Sequence, residues 1–117
     1  MAIVLCIDDE PDALQARKLL LESEGHQVIE AHSGKEGLKI FESEKVDIVV
    51  LDYWMGGMNG LVVARQIKTR NPSMPVIMLS GLPELPGEAI GLANRWILKG
   101  RSTQELLKAI KELTDTV

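Results

Sequence analysis

The sequence has a single cysteine, Cys6, so no disulfide can form within the chain, and neither Cys6 nor the two histidines fall at spacings that would build a zinc site. Cys6 lies inside the apolar run Ile3 to Ile7 and reads as a small buried hydrophobe, while His26 and His32 read as surface or loop residues. Long hydrophobic runs are missing too. None approaches the roughly 20 residues that a membrane span needs, and no basic N-terminal region leads into a cleavable apolar segment. The expectation is a cytoplasmic chain that makes no membrane contact. Excess positive charge is also lacking: the formal net charge of −4 argues against direct nucleic-acid binding, which depends on a basic surface neutralising phosphates. With no repeat, linker or low-complexity tract in 117 residues, residues 1–117 read as one domain.

What the sequence does contain is an alternation of short apolar, β-branched runs with amphipathic helical patterns. That alternation is the signature of a parallel sheet with helices on both faces. Strands are expected at Ile3 to Ile7, Val28 to Ala31, Val46 to Leu51, Val76 to Leu79 and Trp96 to Leu98. Pro11 suits the first position of a helix whose apolar stripe is Leu14, Leu19, Leu20 and Leu21, closed by Gly25. Ser33 to Glu36 forms a capping-box pattern ahead of Leu38, Ile40 and Phe41. A third helix carries Leu61, Ala64 and Ile67 until Asn71-Pro72 stops it, and Ser102 to Glu105 opens a last one through Leu106, Leu107, Ile110 and Leu113. Between Gly81 and Arg95, two prolines (Pro83, Pro86) and two glycines (Gly87, Gly91) leave room only for a short helix, expected from about Pro86 to Asn94.

Chemistry-bearing residues gather where strands end. The first strand runs into Asp8-Asp9-Glu10, the third into Asp52, the fourth into Ser80-Gly81 and the fifth into Lys99-Gly100. In an open parallel sheet, ligands bind outside the carboxyl ends of the strands. If those strands are neighbours, Asp8, Asp9 and Asp52 share a pocket with Ser80 and Lys99. Carboxylates about 4 Å apart repel by about 4 kcal/mol at an effective dielectric of 20, so a cation must offset them. Lys99 supplies one charge. A hard divalent ion such as Mg²⁺, which takes one or two carboxylates plus water and phosphate oxygens, suits the rest. That set points to phosphate chemistry with a carboxylate nucleophile, in which Ser80 and Lys99 address the phosphoryl oxygens.

The ordered set Asp8-Asp9, Asp52 with Gly60 eight residues on, Ser80, and Trp96-Ile97-Leu98-Lys99 resembles the receiver domain of two-component response regulators, over essentially the whole chain. The resemblance implies a flavodoxin-like three-layer α/β fold with a five-stranded parallel sheet in the order 2-1-3-4-5. It implies that Asp52 accepts a phosphoryl group from a phosphohistidine on a sensor histidine kinase or phosphotransfer protein. Asp9, Asp52 and the Trp54 backbone carbonyl would hold Mg²⁺, with Asp8 acting mostly through water. The amides of Trp54 and Gly81 would face the phosphoryl oxygens, Ser80 would be the switch hydroxyl, Trp96 the switch aromatic, and Lys99 the partner of the acyl phosphate. A downstream target protein, or an output domain, would read the change. The only chemistry implied is gain and loss of the domain's own phosphoryl group.

Simpler roles stand beside these. Asp8 and Asp9 suit helix capping, although capping does not account for Asp52, and Trp96 also reads as a core residue. A nucleotide- or flavin-binding enzyme would need a glycine- or hydroxyl-rich loop after its first strand, where this chain has Asp8 to Asp12. An aspartate-nucleophile phosphatase would need a second acid just past Asp52, and Tyr53-Trp54 offers none. A degenerate receiver, working as a phosphorylation-independent interaction module, is the stronger alternative. Gly100 stands where the family usually carries a cis-proline, so either a trans linkage with a rearranged loop or a held cis bond is expected there. Gly56 likewise replaces a common proline in the loop beyond Asp52.

Overall fold

The computed structural model describes residues 1–56, 58–81, 87–100 and 103–115. Along the chain run β1 (Ile3–Ile7), α1 (Pro11–Ser23), β2 (Gln27–Ala31), α2 (Gly34–Ser43), β3 (Ile48–Asp52), two short strands β4 (Trp54–Met55) and β5 (Met58–Asn59), α3 (Gly60–Arg70), β6 (Val76–Ser80), β7 (Arg95–Leu98) and α4 (Thr103–Thr114). Five strands form a parallel sheet in the order β2-β1-β3-β6-β7, the 2-1-3-4-5 order of the fold, and β4 and β5 pair antiparallel by themselves. Side chains alternate across a strand, so each strand feeds two cores. Leu5, Ile7, Val49, Leu51, Val76 and Met78 pack on the side of α3, with Leu61, Ala64 and Ile67. Val4, Cys6, Ile48, Val50 and Ile77 pack on the other side, with Leu14 and Leu21 of α1 and Leu106 and Ile110 of α4.

Cys6 is fully buried in this second core, and burial pushes its thiol up to about 12. Ser33 caps α2 by accepting from the Glu36 amide, while the Glu36 carboxylate accepts from His32 N rather than from Ser33 N, so the box is shifted by one residue. Gly25 closes α1 at φ +90. His26 is half-buried and accepts from the Ala2 amide, tying the β2 end to the N-terminus, and His32 is exposed.

Several expectations need correction. Strand β3 begins at Ile48, not Val46. Asp47 takes up the Ile3 backbone groups, with its carboxylate accepting from Ile3 N at 2.7 Å and its own N donating to Ile3 O at 2.8 Å. The ladder therefore starts two residues later, and β3 carries through Asp52 itself. Leu19 does not join the α1 stripe, being 60% exposed. The helix expected from Pro86 to Asn94 is a single 3-10 turn, Gly87–Ala89, with Pro86 outside the described residues. Leu92 N and Ala93 N both bond to Ala89 O, Gly91 turns to φ +87, and Asn94 N then pairs with Val76 O to start β7. Ser102 also lies outside the described residues, and α4 is described from Thr103.

The end of the segment is pinned by side chains. Asn94 Oδ1 accepts from Val76 N at 2.9 Å and from Lys68 Nζ at 2.7 Å, and Lys68 Nζ also donates to Met74 O. This knot joins α3 to the start of β6 and β7, and burial lowers the Lys68 pKa.

Candidate functional site

The C-terminal ends of β1, β3, β6 and β7 meet at one edge of the sheet. Asp8 follows β1 and is fully buried, Asp52 ends β3 and is 2% exposed, and Asp9 is exposed at the mouth. Each of the three carboxylates offers an oxygen, and all three oxygens lie within 4.8 Å of one another. Lys99 reaches them from the end of β7, with its Nζ 2.8 Å from Asp52 Oδ1. Ser80 is buried at the end of β6, its carbonyl accepting from Lys99 N at 2.7 Å, with exposed Gly81 next along the chain. The sheet therefore brings together Asp8, Asp9, Asp52 and Lys99, and sets Ser80 on the strand between Asp52 and Lys99.

Lys99 arrives without the proline that the family usually has next. The described residues contain no cis peptide bond, and Gly100 adopts φ +84, a left-handed conformation that an L side chain resists. Of the two expected linkages the trans one is present, and it keeps the Lys99 ion pair.

Electrostatics at the site pull in two directions. Burial raises the Asp52 pKa; the Lys99 hydrogen bond and charge oppose this, and the charges of Asp8 and Asp9 add to it, leaving it above the usual carboxylate range. For Lys99, burial pulls downward, but the hydrogen bond and charge of Asp52, helped by Asp8 and Glu10, outweigh it and hold the ammonium above its usual value. Asp52 thus rises chiefly through burial, with the neighbouring acids adding to it, whereas Lys99 rises because the acids around it outweigh its own burial.

The loop past Asp52 fits closely over it. Trp54–Met55 pairs with Met58–Asn59, and Asn59 then caps α3 by accepting from Leu61 N at 2.8 Å. A side chain at Gly60 would run into the Asp52 carbonyl oxygen, which is why glycine stands eight residues after the acid. Gly56, at φ +44, would place a Cβ 3.0 Å from Asp9 Oδ2, so the Asp9 carboxylate leans over bare backbone. This hairpin went unanticipated in the sequence, although Met55-Gly56-Gly57-Met58 carries a turn signal.

The two tryptophans occupy different settings. Trp96 is half-buried and meets the Tyr53 ring edge-on, centroids 5.2 Å apart, so a residue adjacent to Asp52 touches it directly. Trp54 is 60% exposed on β4. Sequence reasoning missed Arg17, whose two terminal guanidinium nitrogens each lie 3.4 Å from Asp8 Oδ2. Its position in the middle of a helix gave no sign of contact with the strand-end acids.

The all-oxygen trio matches what a small hard cation such as Mg²⁺ takes, and the bare backbone at Gly56 leaves space beside Asp9. A doubly wound sheet with acids and a lysine at its carboxyl edge defines a receiver, a signalling domain rather than a conventional enzyme. Residues 4–111 match the model of the response regulator receiver domain, and the chain belongs to that family. It is 41% identical over 85 residues to the transcriptional regulatory protein GlrR of Escherichia coli, covering 73% of this chain and 19% of that one. It is 31% identical over 115 residues to the protein PilH of Pseudomonas aeruginosa, covering 94% and 95%. Its fold matches the response regulator TrrA of Thermotoga maritima, solved with Mg²⁺-BeF, at a TM-score of 0.90 and 31% identity over 97% of this chain and 99% of that one. TrrA has also been solved in complex with the histidine kinase ThkA. The chain spans less than half the length of several transcriptional regulators it matches. Among the described residues, no helix is long and apolar enough to cross a membrane.

Proposed function

We propose that Asp52 accepts a phosphoryl group from a phosphohistidine on a sensor histidine kinase or phosphotransfer protein, in a Mg²⁺-dependent step, and that residues 1–117 form one receiver domain working in the cytoplasm. The observation that carries this reading is the Lys99–Asp52 pair at 2.8 Å, set inside three carboxylates that lie within 4.8 Å of one another. An oxygen of Asp52 attacks phosphorus, the P–N bond breaks, and its electron pair returns to the imidazole, which takes up a proton. Asp9, Asp52 and the Trp54 carbonyl would hold the metal, with Asp8 reaching it through water; the ion neutralises charge on the transferring group. Lys99 pairs with the carboxylate beforehand and with the acyl phosphate afterwards, while the Trp54 and Gly81 amides and the Ser80 hydroxyl address the phosphoryl oxygens. Later attack by water returns the carboxylate and inorganic phosphate, so the domain turns over only its own phosphoryl group.

Ser80 and Trp96 would then shift together toward a second arrangement that a target protein or an output domain recognises. The Tyr53–Trp96 contact supports that coupling, since it links a neighbour of Asp52 to the face of β7. The net charge of −4 supports a protein rather than a nucleic acid as the direct partner. The degenerate-module alternative drew on Gly100 and on the broken helix between β6 and β7; the Lys99–Asp52 pair counts against the first ground, and the single 3-10 turn Gly87–Ala89 leaves the second in place.

The test is intrinsic fluorescence during titration with MgCl₂ and then with beryllofluoride, alongside mass spectrometry after acetyl phosphate treatment. Mg²⁺-dependent changes in both steps, and a phosphoryl adduct that Asp52→Asn abolishes, are expected. Silence in both steps, or an adduct that survives in Asp52→Asn, overturns the reading.

A further inference from the structure

We propose that Arg17 is a positioning residue that acts as the built-in counter-cation of the acidic site, holding Asp8 in place without metal and setting how tightly Mg²⁺ binds. The inference rests on the receiver reading above. Asp8 is fully buried, and an unpaired carboxylate there would be costly. Its oxygens are shared out: Oδ1 accepts from Glu10 N at 3.0 Å, and Oδ2 faces both Arg17 nitrogens at 3.4 Å. Helix side chains tilt toward the N-terminus, so Arg17, two turns into α1, points back at the end of β1. The side chain is 11% exposed. Ala13, Ala16 and Leu20 of α1 and Thr103 and Leu106 of α4 line the groove that its stem shares. A guanidinium so enclosed keeps its place.

Two cations, Arg17 and Lys99, thus face three carboxylates, leaving one net negative charge before any ion arrives. Lys99 pairs with the phosphoacceptor and is free to follow the phosphoryl group. Arg17 pairs with the acid that serves the metal indirectly, so its charge opposes a divalent ion at every stage. The site is therefore tuned to bind Mg²⁺ more weakly than its three carboxylates would by themselves, and to stay ordered when Mg²⁺ is absent.

The experiment is a MgCl₂ titration of the full chain, by calorimetry and tryptophan fluorescence, on the parent, Arg17→Leu, Arg17→Lys and the Asp8→Asn/Arg17→Leu double variant, with thermal unfolding of each in chelator. Arg17→Leu should bind Mg²⁺ about tenfold more tightly, because the removed charge sits within several ångströms of the ion. It should also unfold at a lower temperature in chelator. Arg17→Lys should restore weaker binding. The double variant, with no buried carboxylate left unpaired, should recover the unfolding temperature and so supplies a folded sample even if Arg17→Leu alone does not fold. Its Mg²⁺ affinity should then fall below that of Arg17→Leu, or below that of the parent where the single variant is unfolded. A parent that binds Mg²⁺ together with an Arg17→Leu affinity equal to or weaker than it overturns this inference alone, leaving Arg17 a purely structural residue. So does a double variant that binds as tightly as Arg17→Leu or, where that single variant is unfolded, as tightly as the parent. A parent that takes up no Mg²⁺ overturns the receiver reading and this inference with it.

Discussion

Replacing Asp52 by asparagine keeps the shape of the side chain and an oxygen for Lys99, while removing one of three crowded charges. At 4.8 Å or less and an effective dielectric of 20, each carboxylate pair repels by about 3.5 kcal/mol. Neighbouring cations and solvent reduce that figure here. Arg17 offsets Asp8, and exposed Asp9 is screened by solvent, which leaves about 2 kcal/mol acting on Asp52. The Lys99 pair returns about 1 kcal/mol of this, since the lysine is 34% exposed. Without metal, Asp52→Asn should therefore stabilise the fold by about 1 kcal/mol, which for a chain of this size raises the midpoint by roughly 3 to 6 °C. The sign of the pH dependence follows from the shift. Burial, reinforced by the neighbouring acids, raises the folded pKa of Asp52, so between its unfolded and folded values the folded chain binds the extra proton and stability falls as pH rises through that window. The variant lacks the group, so its advantage shrinks as pH is lowered through the same window. Thermal unfolding by circular dichroism in chelator provides the measurement, and added Mg²⁺ should raise the parent more than the variant. A variant midpoint in chelator equal to or below that of the parent would refute the reasoning.

Two other perturbations probe separate parts of the molecule. If the exposed indole of Trp54, two residues past Asp52, limits access of the hydrolytic water, Trp54→Ala should shorten the lifetime of the phosphorylated form several-fold; phosphate release no faster than in the parent would contradict this. Asn94→Ala strips the acceptor shared by Val76 N and Lys68 Nζ and should cost about 1 to 3 kcal/mol in urea unfolding. A loss below about 0.5 kcal/mol would show that water replaces the amide oxygen.

The strand-end acids and the lysine were legible because a charge that closes an apolar run has few structural reasons to be there. Their convergence needed only the neighbour relations of a doubly wound sheet. What the sequence hid were contacts that depend on side-chain reach. Arg17 meets Asp8 across an element boundary, and Lys68 meets Asn94 from 26 residues away, so neither pair has a local pattern. The helix expected from Pro86 to Asn94 was overestimated, because Gly91 at φ +87 breaks the helical path just after the turn Gly87–Ala89. The start of β3 was misplaced for another reason: Asp47 substitutes its own carboxylate for a ladder acceptor, which an apolar count starting at Val46 cannot register.

Cys6 has a practical consequence. It is the only thiol in the chain, sits in the middle of β1 between two partner strands, and is reluctant to ionise. An alkylating reagent can reach it only when α1 or α4 lifts from the sheet, so its rate of modification works as a clock for opening of that core, one that needs no engineered label.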